Sequence, residues 1–429
     1  MFVWLLGSNS PIVAWSKCLK LTRTMNGSTS SLPKILFILL VFVSVLGLAT
    51  KATGQHKYLD SLDRDLTARF EQSAIPGCAV TILNSKRILY QKSLGYADIK
   101  NQKPFDLNTT INIASVSKAF ISLALIKAIQ LGYFNLESDI NKLLPFTIYN
   151  PYFPAETIRI KHLVTHTSGI TDNDSVYAKT YRFVITDHTD ASSIALIKEA
   201  DLGGDLTDTT LHEFMVSYLS TQGNLYSTRN FLNQKPGTYY SYSNIGSALA
   251  AYLIETKAKM SFSDFTHKYI FAPLKMSQSD WFINPKTLRS RAIPYYNADL
   301  AFPFYTSVTY PDGGLVTSAG ELSQFVQEMI KSLNNSSRIL PKKMVQRMVR
   351  PFFTNRDKIG NYDVTKYNNG VFWELYPDGF IGHPGSDPGV SSLIEFNHEV
   401  GIVFLCNAST DMAEFKSILK KYALKLSGH

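Results

Sequence analysis

Downstream of residue 56 the apolar positions fall into two rhythms. Leu59, Leu62, Leu66 and Phe70 recur at helical spacing and predict an amphipathic helix over Lys57–Gln72. Pro76-Gly77 ends it. Two strands are predicted next, Cys78–Leu83 (CAVTIL) and Arg87–Gly95, around the turn Asn84-Ser85-Lys86. From Ser115 to Leu131 the spacing is helical but apolar residues run nearly all round, which predicts a buried helix. Helical patterns dominate to about Arg350, broken by long polar stretches at 171–190 and 200–211 that read as loops. Beyond Pro351 strands return at Gly370–Leu375, Ser391–Phe396 and Gly401–Asn407. Glu414–Leu426 closes the chain as an amphipathic helix.

Strands at both ends with helices between them predict an α/β fold of the α+β type. One antiparallel sheet, built from both chain ends and flanked by helices, carries a large inserted helical region. The corresponding division is a presequence over 1–54 and a single domain over 55–429, with its α/β part at 55–112 and 351–429 and its helical part at 113–350.

The presequence stands out by charge and hydropathy. It holds Lys17, Lys20, Arg23, Lys34 and Lys51 and no acid, which accounts for more than half of the chain's formal charge of +9. The body is only mildly basic, without a Lys/Arg run, so no nucleic-acid partner is expected. The apolar run Ile35–Ala49 after Lys34 is short for a membrane span and suits the core of a signal peptide. Gly47-Leu48-Ala49 offers small residues for cleavage, and Met25 is an alternative start that gives a conventional leader. The expectation is export, periplasmic or secreted; the alternative is an anchor formed by residues 35–49, the only route to membrane contact. At 45% hydrophobic and 18% charged residues the chain is long and apolar enough to stabilise itself by its core. Its three cysteines, Cys18, Cys78 and Cys406, fit no zinc or redox spacing.

Three short motifs carry candidate chemistry. Ser115-Val116-Ser117-Lys118 is a Ser-x-x-Lys at the head of the buried helix, where positions i and i+3 share a face. The Lys118 amine can therefore reach the Ser115 hydroxyl, and the apolar run behind it strips water from that amine, which suits a proton acceptor. Free backbone N–H groups at the helix start suit a developing oxyanion. The same spacing recurs at Ser31/Lys34 and Ser417/Lys420, neither of which opens a buried helix. Tyr242-Ser243-Asn244 follows Lys235-Pro236-Gly237 and precedes a helix over Ile245–Glu255; Tyr295/Asn297 and Tyr367/Asn369 lack that setting. Gly382-His383-Pro384-Gly385-Ser386 precedes a predicted strand pair, and Gly385 there permits close approach of backbone to substrate. Lys358-Ile359-Gly360 is a rival for this third motif. His162 and His166, four apart, lack the intervening Glu of a zinc hydrolase and read as structural, so no metal and no cofactor are expected. No Gly-x-Ser-x-Gly is present.

In that order the three motifs resemble the serine β-lactamase and D-alanyl-D-alanine-peptidase superfamily, and the Tyr-Ser-Asn form is similar to its class C branch and related esterases. Thr157–Ile170 (TIRIKHLVTHTSGI) and Tyr310–Thr317 (YPDGGLVT) are similar to further segments of that family. The resemblance implies a β-lactamase/transpeptidase-like fold. It implies Ser115 as nucleophile, Lys118 and Tyr242 as the proton-transfer pair, and Asn244, His383, Gly385 and Ser386 as substrate-binding positions, with the N–H groups of Ser115 and Ser386 as oxyanion donors. His383 and Pro384 depart from the family's Lys-Thr, which weakens recognition of a substrate carboxylate. The family's sheet also implies that Cys78 and Cys406 lie on neighbouring strands, as a disulfide or as two buried thiols.

The expected activity is that of a serine hydrolase acting through an acyl-Ser115 intermediate on a small ester, amide or D-amino-acid peptide, with weak β-lactamase activity. The alternatives are a penicillin-binding D-Ala-D-Ala carboxypeptidase, a true class C-type β-lactamase, and a slowly deacylating β-lactam sensor. The expected partner is a small-molecule or peptide substrate, peptidoglycan-derived substrates included, met by a monomer.

Overall fold

The computed structural model describes residues 56–427, apart from 205, 207, 297 and 298; the leader and anchor readings fall outside these residues. The chain divides into two compact units, Met1–Asp60 and Ser61–His429, and the second holds everything that follows. Its strands are β1 (Gly77–Leu83), β2 (Ile88–Asp98), β3 (Lys103–Pro104), β4 (Thr110–Asn112), β5 (Tyr181–Val184), β6 (Phe304–Ser307), β7 (Val316–Ser318), β8 (Asn368–Asn369), β9 (Glu374–Leu375), β10 (Ile381–Asp387), β11 (Val390–Phe396) and β12 (Gly401–Cys406). Eight of them form one antiparallel sheet in the order β3-β2-β1-β12-β11-β10-β9-β8. The two chain ends therefore meet at the β1–β12 pair in the middle of the sheet, as the strand pattern predicts.

The central strand β12, GIVFLC, is apolar throughout because it is buried on both faces. Side chains alternate across a strand. Phe404 packs against Phe415 of the closing helix, with ring centroids 4.9 Å apart and the rings tilted by 31°. On the other face, a Cβ at Gly401 would meet Val326 and Ile330 of the Ala319–Leu333 helix. That second helix joins the sheet to the buried Ser117–Gln130 helix, where Phe120 and Phe325 stack at 4.1 Å. Ser117–Gln130 in turn packs against Asn244–Ala258, and the two candidate motifs at their heads are thereby brought together.

Three local expectations need correction. The polar stretch 171–190 is not all loop: Tyr181–Val184 is strand β5, paired with β6, with Tyr181 opposite Ser307 and Phe183 opposite Tyr305. Its aromatic residues pack on one another across a small sheet whose partner lies more than a hundred residues away, a contact no local pattern reveals. Gly370–Leu375 is not one strand, because Phe372 takes a left-handed φ of 54° and a turn separates β8 from β9. The Gly382–Ser386 motif does precede the β11–β12 strand pair, but it is itself a strand, β10, which the sequence pattern did not show. Strand β9 pairs only with Ile381 and Gly382, so the edge of β10 beyond Gly382 is open. An open edge accepts the missing N–H of Pro384 without loss of a ladder bond.

Candidate active site

Ser115 stands on the short turn Ala114–Val116 that leads into the Ser117–Gln130 helix. It is the one residue between Thr109 and Ile126 that is not buried. The turn is tightly constrained. Ala114 adopts a left-handed φ of 46°, a conformation costly for a residue with a Cβ, and its N–H donates to Asn112 Oδ1 at 2.6 Å. Strands β4 and β7 pair on one side of it, and Ser392 Oγ of β11 donates to the Ile113 carbonyl at 2.6 Å on the other.

Lys118 is fully buried. Its Nζ donates to Ser115 Oγ at 3.2 Å, to Asn244 Oδ1 at 2.7 Å and to the Asp312 backbone carbonyl at 2.7 Å. Three acceptors match the three donors of an ammonium, which is how a buried lysine avoids an unsatisfied polar group. Its Nζ also stands 4.9 Å from the centre of the Tyr242 ring. Ser115, Lys118, Tyr242 and Asn244 therefore converge, drawn from segments 126 residues apart.

Tyr242 is 37% exposed and is held by its backbone neighbours. Ser241 N–H donates to the His166 carbonyl and Ser243 N–H to His166 Nδ1, at 2.8 and 3.2 Å. The His166 imidazole stacks under the Tyr242 ring at 4.4 Å. Burial, with the Lys118 charge behind it, pushes His166 well below the usual histidine range, so it stays neutral and keeps Nδ1 as an acceptor. Asp172 fixes the next helix start, accepting from Ser243 Oγ, Asn244 N and Ile245 N at 3.0, 2.8 and 2.9 Å. Sequence reasoning missed Asp172. It read His166 as structural without finding what it supports.

On β10, Gly385 passes beside the Ser115 turn. A Cβ there would lie 2.3 Å from Ser392 Oγ, 2.5 Å from the Ile113 carbonyl oxygen and 3.2 Å from Ser115 N. Tyr376 N–H donates to the Phe380 carbonyl on the β9 side. By the alternation of an antiparallel strand, residues 382, 384 and 386 direct their backbone groups to that same side. Ser386 N–H thus faces the open edge, and Ser386 is exposed. His383 is buried, its ring centre 6.4 Å from that of Tyr242, and its Nδ1–H donates to the Pro384 carbonyl at 2.6 Å. Burial, helped by the Lys118 charge, holds its pKa down to about 3. It is therefore an uncharged group at neutral pH.

The decoy motifs lie elsewhere. Lys420 of Ser417/Lys420 pairs with Asp378 and Glu395 at 2.7 and 3.0 Å. Ser31/Lys34 and Asn297 are outside the described residues. Asn369 accepts from the Tyr362 hydroxyl. Gly360 of Lys358-Ile359-Gly360 exchanges backbone hydrogen bonds with Thr238 and Tyr240 and lies on no strand of the main sheet. His162 Nδ1 accepts from Arg159 N–H at 3.1 Å. No cluster of three metal-ligating side chains occurs among the described residues.

A cavity of about 130 Å³ opens on Ser115, with Ala114, Asn244, Gly313 and Ser386 in its wall. Beside that cavity the strained Ala114 sets Ser115 at a helix start, with a lysine three residues on and a tyrosine ring facing that lysine. The chain belongs to the Beta-lactamase family, a family of serine hydrolases, with residues 62–426 matching it. It is 23% identical over 350 residues to penicillin-binding protein 4* of Bacillus subtilis (strain 168), covering 78% of this chain and 68% of that one. It is 25% identical over 360 residues to protein flp of Staphylococcus aureus (strain MRSA252), covering 82% of this chain and 63% of the other. The chain thus spans about two thirds of the length of these curated relatives. Among solved structures, the octameric penicillin-binding protein homologue from Pyrococcus abyssi superposes with a TM-score of 0.68 at 21% identity, covering 86% of this chain and 77% of that one. The D-alanine carboxypeptidase AmpC from Burkholderia cenocepacia gives 0.61 at 19% identity, covering 86% of this chain and 99% of that one. At these identities both establish the fold alone.

Proposed function

We propose that the protein is an exported hydrolase in which Ser115 Oγ attacks the carbonyl carbon of a small ester, amide or D-amino-acid peptide. The observation that carries this reading is the 3.2 Å contact between Lys118 Nζ and Ser115 Oγ, inside a site where every other lysine donor is already committed. As the Oγ–carbon bond forms, the serine proton passes to whichever member of the Lys118/Tyr242 pair is unprotonated, and the carbonyl oxygen takes up negative charge against the N–H groups of Ser115 and Ser386. Collapse of the tetrahedral species expels the alcohol or amine, which takes the proton back and leaves acyl-Ser115. Water repeats the sequence, releasing the acid and restoring Ser115. Asn244, with Oδ1 turned to Lys118, keeps its amide donors for the substrate. Gly385 serves by giving the substrate room against β10. The neutral His383 lends shape and polarity without charge.

Peptidoglycan-derived peptides are one substrate class, since one structural neighbour is a D-alanine carboxypeptidase. A chain that acylates and then deacylates slowly would act instead as a β-lactam sensor. We expect a monomer, although one neighbour is described as octameric. The deciding experiment is intact-mass spectrometry of wild type and Ser115→Ala after incubation with a fluorophosphonate, a penicillin, a p-nitrophenyl ester and a D-Ala-D-Ala peptide. Labelling on Ser115 that clears with time for the ester supports the hydrolase. A persistent penicilloyl adduct supports the sensor. Labelling that survives Ser115→Ala refutes the nucleophile.

A further inference from the structure

The cavity on Ser115 has a charge that the acyl-transfer steps leave unused. Its wall holds two carboxylates, Asp312 and Asp387, and no lysine, arginine or histidine among the described residues. Tyrosines complete that side. Tyr177 OH donates to Asp312 Oδ1 at 3.2 Å and Tyr181 OH to Asp387 Oδ1 at 2.6 Å, while Tyr305 stands edge-on to Tyr181 with ring centres 5.6 Å apart. Asp312 is 2% exposed, yet its Oδ2 has no hydrogen-bond partner among the described residues. A buried carboxylate oxygen without a donor is costly, and a native site that keeps one calls for a reason.

The neighbouring charges do not supply that donor. Lys118 spends its N–H groups on Ser115, Asn244 and the Asp312 backbone, not on the Asp312 carboxylate. Asp172 is occupied by the start of the Asn244–Ala258 helix. We propose that this cavity is a subsite for a primary ammonium group, so that the preferred substrates are esters, amides or D-aminoacyl compounds carrying a free amine within a few bonds of the scissile carbonyl. An ammonium offers the donors that Asp312 Oδ2 lacks, and tyrosine faces attract it further. A substrate carboxylate at the same place meets two carboxyl groups and no cationic side chain in the wall. Burial raises Asp387 to about 6 and Asp312 to about 7, opposed by Lys118 and by the hydroxyls of Tyr181 and Tyr305 on the first and Thr309 and Tyr177 on the second. A bound cation would draw both carboxyls into the ionised form.

The proposal rests on the hydrolase reading, and the test separates the two. Turnover of D-alanine p-nitroanilide is compared at pH 7 with that of propionyl p-nitroanilide, which differs only in lacking the ammonium. Wild type should prefer the first by about tenfold or more in kcat/KM, and Asp387→Asn and Asp312→Asn should each bring the ratio toward one. In parallel, calorimetry measures binding of benzylammonium and of benzyl alcohol to the wild type and both variants, whose melting temperatures report on folding. Turnover of both anilides at equal rates, or a ratio unmoved in both variants, overturns the subsite and leaves the hydrolase standing. If neither anilide is turned over, calorimetry decides the subsite alone and the hydrolase reading stands or falls on the labelling of Ser115 by the ester. Benzylammonium bound at least about tenfold tighter than the alcohol, and weakened by either substitution, upholds it; equal binding overturns it.

Discussion

Gly385 and Ile113 approach so closely that a Cβ on the first would lie 2.5 Å from the carbonyl oxygen of the second. This is the point where the sheet touches the nucleophile's turn. The obstructing atoms include backbone, which cannot swing aside. Gly385→Ala must therefore move β10 away from Ser115 or twist the turn. We expect kcat/KM for a p-nitrophenyl ester to fall by about 100-fold, the scale associated with a displacement of about 1 Å at a reacting centre, together with a lower melting temperature. Retained activity would mean that the strand position is not critical.

Substrate preference follows from Pro384 and the uncharged His383. A carboxylate-bearing substrate finds no hydroxyl at Pro384 and no positive charge at His383, whose pKa is held down to about 3 by burial. Losing a hydrogen bond to a charged group costs about 1.5–3 kcal/mol, roughly one to two decades in rate. Nitrocefin should accordingly be hydrolysed far more slowly than a short-chain p-nitrophenyl ester. Side-by-side kcat/KM values check this, and turnover of nitrocefin at the rate of a dedicated β-lactamase would refute it.

Two sets of buried groups pull stability in opposite directions with pH. Burial depresses His162 to about 4, His383 to about 3 and His166 well below its usual 6.5. These histidines are neutral in the folded state while the unfolded chain takes up protons, so their contribution is complete above 6.5 and is lost as pH falls from there toward 4 and 3. Asp312 and Asp387 are raised, to about 7 and about 6 from 3.8. Their protonated forms are favoured in the folded state, so that contribution is lost as pH rises through 4 to 7. Three depressed histidines outweigh two raised aspartates, so melting temperature should rise from pH 4 to about 7 and level off toward pH 8. Asp312→Asn removes an ionisable group from the second set. It should raise stability at pH 8 by on the order of 2 kcal/mol, by clearly less at pH 5, and hardly at all below pH 4. Equal effects at pH 8 and pH 5 would refute the assignment.

Cys78 and Cys406 are direct partners across β1 and β12, and both are free, buried thiols. Of the two alternatives carried from the sequence, the structure holds the reduced pair. Burial pushes Cys406 up to about 12 and Cys78 higher, so neither supplies much thiolate. A water-soluble maleimide should leave both unlabelled in the folded protein and reach both in guanidinium, as read by peptide mass spectrometry. Native-state labelling, or isolation of a Cys78–Cys406 disulfide, would count against this.

Periodicity and motif order were enough to anticipate the sheet made from both chain ends, the buried helix behind Ser115, and Ser115, Lys118, Tyr242 and Asn244 as one constellation. These features are local or repeated: a helical turn brings Ser115 and Lys118 to one side of the chain, and a short run rich in β-branched and aromatic residues such as GIVFLC, too short for a helix, reads as a strand buried on both sides. What the sequence could not disclose depends on which distant segments meet. Asp172 and His166 matter because they hold the Tyr242 segment, 70 or more positions away along the chain. Strand β5 exists because β6 is there to pair with it. Asp312 and Asp387 form one acidic wall only because the Tyr310–Asp312 turn and the end of β10 both close on Ser115, and the histidine at 383 loses its charge only because tertiary packing removes water from it. Spacing sets which side chains share an element, whereas burial and electrostatics are properties of the assembled neighbourhood, and those were decided by the tertiary structure alone.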